Sequence, residues 1–197
     1  MNTASSECLG YGHDQLSAIP RSVSEDIRCY LNRWGENPTA RNDFLHCMSA
    51  FWTPGVLSVF LHRISHYLDV NHWRRSAVWV SRLNFLLHKV SITPQSCIGP
   101  SCFLPHPAGV TFHGRAGRGL RLYSLAVCCA WEDSLDGPLE SGPCLGDSVT
   151  VGAHAVLLGP IVVGRDTKLA YGVRVDRDTP PGILGISPAV IGRRPST

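Results

Sequence analysis

The chain has 197 residues, 44% of them hydrophobic and 17% charged, enough to bury one full core with room for a small addition. Its net charge of +3 is too small, and its arginines too scattered, for a nucleic-acid footprint, and no apolar run reaches the roughly 18 residues of a membrane span. Eight cysteines with no CxxC spacing exclude a disulfide scaffold and a zinc ribbon; they read as reduced, mostly buried thiols, and with no basic start followed by an apolar run at the N-terminus the expected location is cytoplasmic.

In chain order, residues 1–22 read as a flexible tail and residues 23–90 as a helical domain. Ser24 reads as an N-cap, with Glu25 and Asp26 in the first turn and Ile27, Tyr30, Leu31 and Trp34 at helical spacing. Pro54 suits the first turn of a second helix whose stripe is Val56, Phe60, Ile64 and Tyr67. A third places Trp73, Ala77, Val80, Asn84 and Leu87 on one face.

After Val90 the helical period gives way to a period of six. Leu145, Val151, Leu157, Val163, Leu169 and Val175 follow one another without a slip, and Val149, Ala155, Ile161, Thr167 and Val173 stand four residues after successive anchors. A less regular block with the same register begins at Ile92, Ile98 and Leu104. A strand repeats every two residues and a helix every 3.6, so a strict six means short straight segments joined by turns. Three such segments close one triangular coil, and about five coils fit between Ile92 and Gly192. The fold class is therefore α+β by segment: the helical unit, then a parallel β-helix over residues 91–192, then a short tail over 193–197.

Within this repeat, "CFLPHPAGVTF" sets His106 between two prolines in an apolar run. The layout of a short helical unit, hexapeptide coils and the ending "TPPGILGISPAVIG" resembles the serine O-acetyltransferase family from about Asp26 to Gly192. Arg63, Ile64, Ser65 and His66 resemble the family's Arg-Ile-x-His stretch, "VGAHAVLLGPIVVG" its late coils, and "LPHPAG" the block that carries its catalytic histidine. The resemblance implies a left-handed coil and a homotrimer with acetyl-CoA bound between subunits. His106 would be the general base that takes the acceptor's hydroxyl proton, and no metal would be needed. An imidazole with an ordinary pKa of about 6.5 suits that task near neutral pH. The family's hexamers form through a longer helical region, so a plain trimer is expected here.

The departures fall on the acceptor side. Where the family has an acid that orients the catalytic imidazole, fifteen residues before it, this chain has Ser91. Pro105 replaces the aspartate that precedes the histidine, and Ser141 and Gly142 replace an Arg-His pair that contacts the acceptor's carboxylate. The loop "WEDSLDGPLESG" carries Glu132, Asp133, Asp136 and Glu140, either as a solvated turn or as an acidic lid for an amine-bearing acceptor. On the CoA side Gly152 and Ala153 match the family's small residues, Tyr171 stands where a small one is usual, and Arg193 and Arg194 are placed to meet phosphates. The expected function is thus acetyl transfer to the hydroxyl of serine or of a related amino acid or secondary metabolite. The alternative is a trimeric interaction module of reduced or no activity. A zinc enzyme of the β-helix type would use His106, His113 and His154, whose spacing does not resemble that family.

Overall fold

The computed structural model describes residues 16–33, 43–131 and 137–186. Among the described residues four α-helices precede the coil: α1 (Ala18–Arg33), α2 (Asp43–Phe51), α3 (Pro54–Val70) and α4 (Arg74–His88). Helix α1 begins six residues before the expected cap, because Pro20 in a first turn needs no N–H partner. Ser24 is therefore inside the helix, where its Oγ donates to the Arg21 carbonyl at 2.7 Å, and the last residues of the expected tail are helical. Trp34 lies outside the described residues. Pro54 opens α3 as expected. Lys89 ends α4 in the left-handed region at φ 58°, its N–H bonded to the Phe85 carbonyl at 2.9 Å.

Thirteen short strands follow among the described residues, numbered in chain order, and they stack in parallel as the three sides of a left-handed β-helix. The first side is β1 (Ser91–Ile92), β3 (Thr111–Phe112), β6 (Val127–Cys129), β9 (Val156–Leu158) and β12 (Arg174–Val175). The second is β2 (Cys97–Ile98), β4 (Arg115–Ala116), β7 (Cys144–Leu145) and β10 (Val162–Val163). The third is β5 (Arg121–Leu122), β8 (Thr150–Val151), β11 (Lys168–Leu169) and β13 (Leu184–Ile186), preceded by a bridge from Phe103 to Arg121.

Each side sends one column of side chains inward: Ile92, Phe112, Cys128, Leu157 and Val175 from the first, Ile98, Ala116, Leu145 and Val163 from the second, and Leu104, Leu122, Val151 and Leu169 from the third. All the anchors of the six-residue repeat are buried, as are Val149, Ala155, Ile161, Thr167 and Val173 at the corners. A fully buried Val, Leu or Phe is worth roughly 1.5–3 kcal/mol, so the columns hold the coil together.

Regular coils pair residues 18 apart, as in Cys97 with Arg115 and Cys144 with Val162. Two places break the rule. Ser91 pairs with Thr111 and Thr111 with Val127, so the turn carrying His106 is two residues larger than its neighbours and the next side is shortened to compensate. Arg115 pairs with Cys144, 29 residues on, because the segment after β6 holds an eleven-residue insertion.

The helical unit closes the open end of the first coil. In that coil the carbonyls of Ile92, Ile98 and Leu104, one per side, are taken by helix side chains. Ser81 Oγ donates to Ile92 at 3.0 Å, Arg63 Nη1 to Ile98 at 3.2 Å, and the Tyr30 hydroxyl to Leu104. Arg63 also grips Asp26 through Nε at 2.7 Å and Nη2 at 2.9 Å, both side chains being almost wholly buried, and Asp26 accepts the Cys102 N–H at 2.8 Å. His66 Nδ1–H donates to the Pro94 carbonyl at 2.7 Å, and burial holds its imidazole below the ordinary pKa.

This corrects the expected stripe of α3. Phe60, Ile64 and Tyr67 are only half-buried, whereas Val56, Val59, Arg63 and His66 face inward, because the rim they meet consists of carbonyls that need donors. In α4, Ala77 and Asn84 are buried as expected, but Leu87, and Trp73 just before the helix, are exposed. Among the described residues Cys97 is disulfide-bonded and six other cysteines are not, a departure from the all-reduced expectation.

Candidate active site

His106 lies on the corner between the third and first sides, exposed, with Pro105 and Pro107 fixing the backbone on either hand. Backbone bonds stack this corner rung by rung. Gly109 N–H bonds the Lys89 carbonyl at 2.8 Å, Leu125 N–H that of Ala108 at 3.1 Å, His154 N–H that of Ser124 at 3.0 Å, and Gly172 N–H that of Ala153 at 2.9 Å. Ser124 Oγ adds a bond to the His106 carbonyl at 3.2 Å. One edge therefore carries His106, then Ser124, then Gly152 and Ala153, then Tyr171, over three rungs of about 4.8 Å each. Four of the expected residues share this edge, and Tyr171 projects from it, 71% exposed.

Ser91 sits at the start of β1, half-buried, its N–H bonded to the Val110 carbonyl at 2.9 Å just after the His106 turn. Among the described residues no hydrogen bond joins its hydroxyl to the His106 ring. Pro105 follows Leu104, the residue whose carbonyl takes the Tyr30 hydroxyl.

Ser141 and Gly142 fall on a different corner of the chain, between the first and second sides, at the end of the eleven-residue insertion. They close a 3-10 turn, Leu139–Ser141, in which Ser141 Oγ donates to the Pro138 carbonyl at 2.6 Å. A Cβ on Gly142 would overlap the His113 carbonyl oxygen, so only glycine lets the insertion return this close to the coil. Glu132 and Asp133, with Asp136, lie outside the described residues, as do Arg193 and Arg194.

The turn is held by a polar network that the repeat pattern did not announce. His113 is fully buried; its Nδ1 is 3.0 Å from Thr93 Oγ1 and its Nε2 3.4 Å from the Pro138 carbonyl. A carbonyl only accepts, so Nε2 carries a proton toward Pro138. Thr93 Oγ1 in turn meets Ser96 Oγ at 2.8 Å, and Ser96 donates to the Phe112 carbonyl at 3.2 Å. Outside it, Arg115 pairs with Glu140 at 2.8 Å; the Glu140 backbone N–H and this guanidinium hold its carboxyl below the ordinary pKa. The signal was present as "TPQS" and "FHGR" at coil turns, where polar residues replace the usual small ones. A second pair was also missed: His88 Nδ1 meets Asn84 Oδ1 at 2.9 Å while Asn84 Nδ2 donates to the Ser58 carbonyl, and burial lowers the His88 pKa.

The histidines required by the zinc alternative are divided between two corners. His106 and His154 are exposed on one, and His113 is buried in hydrogen bonds on the other. Among the described residues, no group of three or more His, Cys, Asp or Glu could hold a metal ion, and no helix is long and apolar enough to cross a membrane.

The chain is 31% identical over 176 residues to a serine acetyltransferase of Mycobacterium tuberculosis, covering 85% of this chain and 71% of that one. It is 30% identical over 182 residues to one of Synechococcus elongatus, covering 88% and 69%. The crystal structure of Neisseria gonorrhoeae serine acetyltransferase superposes with a TM-score of 0.73 at 23% identity, over 84% of this chain and 62% of that one. Serine acetyltransferase isoform 3 of Entamoeba histolytica, solved in complex with cysteine, does so with a TM-score of 0.73 at 22% identity, over 98% and 66%. The chain thus spans slightly less than two thirds of the length of these solved structures. No family model matches it.

Proposed function

Since the chain belongs to the serine acetyltransferase family, we propose that it is an acetyl-CoA-dependent O-acetyltransferase with His106 as its general base. The carrying observation is the edge on which the exposed His106 is stacked in line with the small residues Gly152 and Ala153. His106 takes the acceptor's hydroxyl proton as its oxygen attacks the thioester carbonyl. The tetrahedral oxyanion then collapses, and the departing CoA thiolate receives that proton from the imidazolium. Such a reaction needs alignment more than covalent catalysis. Ser91 supplies at most an orienting hydroxyl, and a carboxylate there would stabilise the imidazolium better.

His106 and the Ser141–Gly142 turn lie on separate corners of one chain, which fits a site completed by a neighbouring copy in a homotrimer. Tyr171 would stand at the outer end of the acyl-CoA channel, with Arg193 and Arg194 meeting its phosphates. The Entamoeba relative is a complex with cysteine, so an amino-acid acceptor is the first choice. Pro105, Ser141 and Gly142 provide no charge for a free carboxylate, and Glu132 and Asp133 favour an amine, so the acceptor is read as a modified amino acid or secondary metabolite with a hydroxyl.

Those same replacements, together with Ser91, support the second reading, a trimeric interaction module without catalysis. The test is free-thiol release from acetyl-CoA by wild type and His106→Ala against serine, homoserine, other amino acids and simple sugars. Activity on one acceptor that falls at least ~100-fold in the variant supports the enzyme. Silence on all acceptors, with no saturable acetyl-CoA binding by calorimetry, sinks it.

A further inference from the structure

Between α1 and the coil lies an open cavity of about 590 Å³, within the size range of small-ligand sites. Arg28 reaches it from α1, Arg118 from the corner between the second and third sides, and Arg121 from β5. The nearly buried ring of Phe103 lines it too, with Ser101 beside it. The wall holds one carboxylate, Glu25, and that is already committed: it pairs with Arg118 at 2.6 Å and with Arg21 at 3.6 Å. The neighbouring Asp26 is consumed by Arg63. Among the described residues, Arg28 and Arg121 have no acidic partner.

With Arg118 neutralised by Glu25, two unpaired guanidiniums, Arg28 and Arg121, face one cavity from separate elements, and the local potential there favours an anion. A guanidinium presents a planar fork of N–H donors that matches phosphate oxygens, and two forks from different elements can hold one phosphate from two directions. We propose that this cavity is a binding site for a phosphorylated small molecule, separate from the His106 edge. The ligand would span helix and coil, fastening the helical unit to the third side of the β-helix. The inference does not depend on the acetyltransferase reading. Its chemistry could be met by a free phosphorylated metabolite or by the phosphates of CoA.

Inorganic pyrophosphate is the probe, titrated calorimetrically into the full-length protein at low salt. Wild type should bind with a Kd of about 1 mM or tighter. The Arg28→Glu/Arg121→Glu double variant should lose at least ~10-fold, the single Arg28→Glu variant should show a smaller loss, and Lys168→Glu, two rungs along the same side, should be unchanged. Arg28 is exposed, so the single variant reports even if the double variant unfolds. Acetyl-CoA titrated into the double variant separates the sources, since an unchanged affinity assigns the site to a free metabolite and a parallel loss assigns it to CoA. Absence of wild-type binding, retention in both arginine variants, or equal loss in Lys168→Glu would overturn the proposal.

Discussion

Replacing Arg63 with methionine should destabilise the protein more than any single change on its exposed surface. The guanidinium makes two bonds to Asp26 and one each to the carbonyls of Ile98 and Gly99, and the two side chains are 4% and 2% exposed. Methionine fills most of the space but leaves a buried carboxylate with only backbone donors, and breaking a buried pair in this way costs about 3–5 kcal/mol. At about 2–4 °C per kcal/mol for a chain of this size, the unfolding temperature should fall by about 6–20 °C, measured at one fixed protein concentration. Burial is the largest influence on Asp26 and raises its pKa; Arg63 opposes it. Once the arginine is gone, the folded carboxyl lies further above its unfolded value. Such a group contributes stability below the unfolded pKa and loses it as pH rises through the folded one, so the deficit should be smaller at pH 5 than at pH 8. Asp26→Leu combined with Arg63→Met should recover part of the loss. A fall of less than about 3 °C, or a deficit that grows on acidification, would refute the reasoning.

His66, buried and depressed in pKa, binds fewer protons folded than unfolded, so stability should decline as pH falls below about 6.5; His66→Gln should flatten that part of the pH–unfolding curve. Gly142→Ala should cost about 1–3 kcal/mol by chemical denaturation, because its Cβ would strike the His113 carbonyl. Ser91→Asp should raise the rate of thiol release on whichever acceptor wild type uses, and no gain would show that His106 is not oriented from that position. Tyr171→Ala should lower the KM for acetyl-CoA with no change in unfolding temperature, since the ring is 71% exposed.

The β-helix could be read from the chain because its physical demand is periodic. A triangular coil admits one inward residue per side, and Leu145 to Val175 answer that demand every sixth residue, each buried. The helical unit was harder to read, since its inner face meets a polar rim as well as the coil's apolar core. Val56 and Val59 share that face with Arg63 and His66, which are buried in polar contacts that apolar periodicity cannot register. Ser24 looked like a cap because serine before two acids has the right local chemistry, but Ala18, Ile19 and Pro20 had already begun the turn. On the candidate edge, Gly152, Ala153, Tyr171 and His106 were foreseeable from register. Polar residues at two coil turns were the sequence's only sign of the Thr93–His113–Pro138 network, and their pairing depends on how an insertion folds back, which no repeat specifies.

A parallel β-helix ends in a template. The last ring at either end presents backbone groups spaced to receive another ring, from its own chain or from another molecule. In this chain the upstream ring is sealed by Ser81, Arg63 and Tyr30, one donor for each side of the triangle. The helical unit is therefore a stopper for a structure that would otherwise keep adding to itself. Weakening it would do more than loosen one domain: it would expose three aligned acceptors on a flat apolar cross-section, and molecules could stack end to end into fibres. Sequence change in the helices is thus constrained by what they keep from happening as much as by what they hold in place.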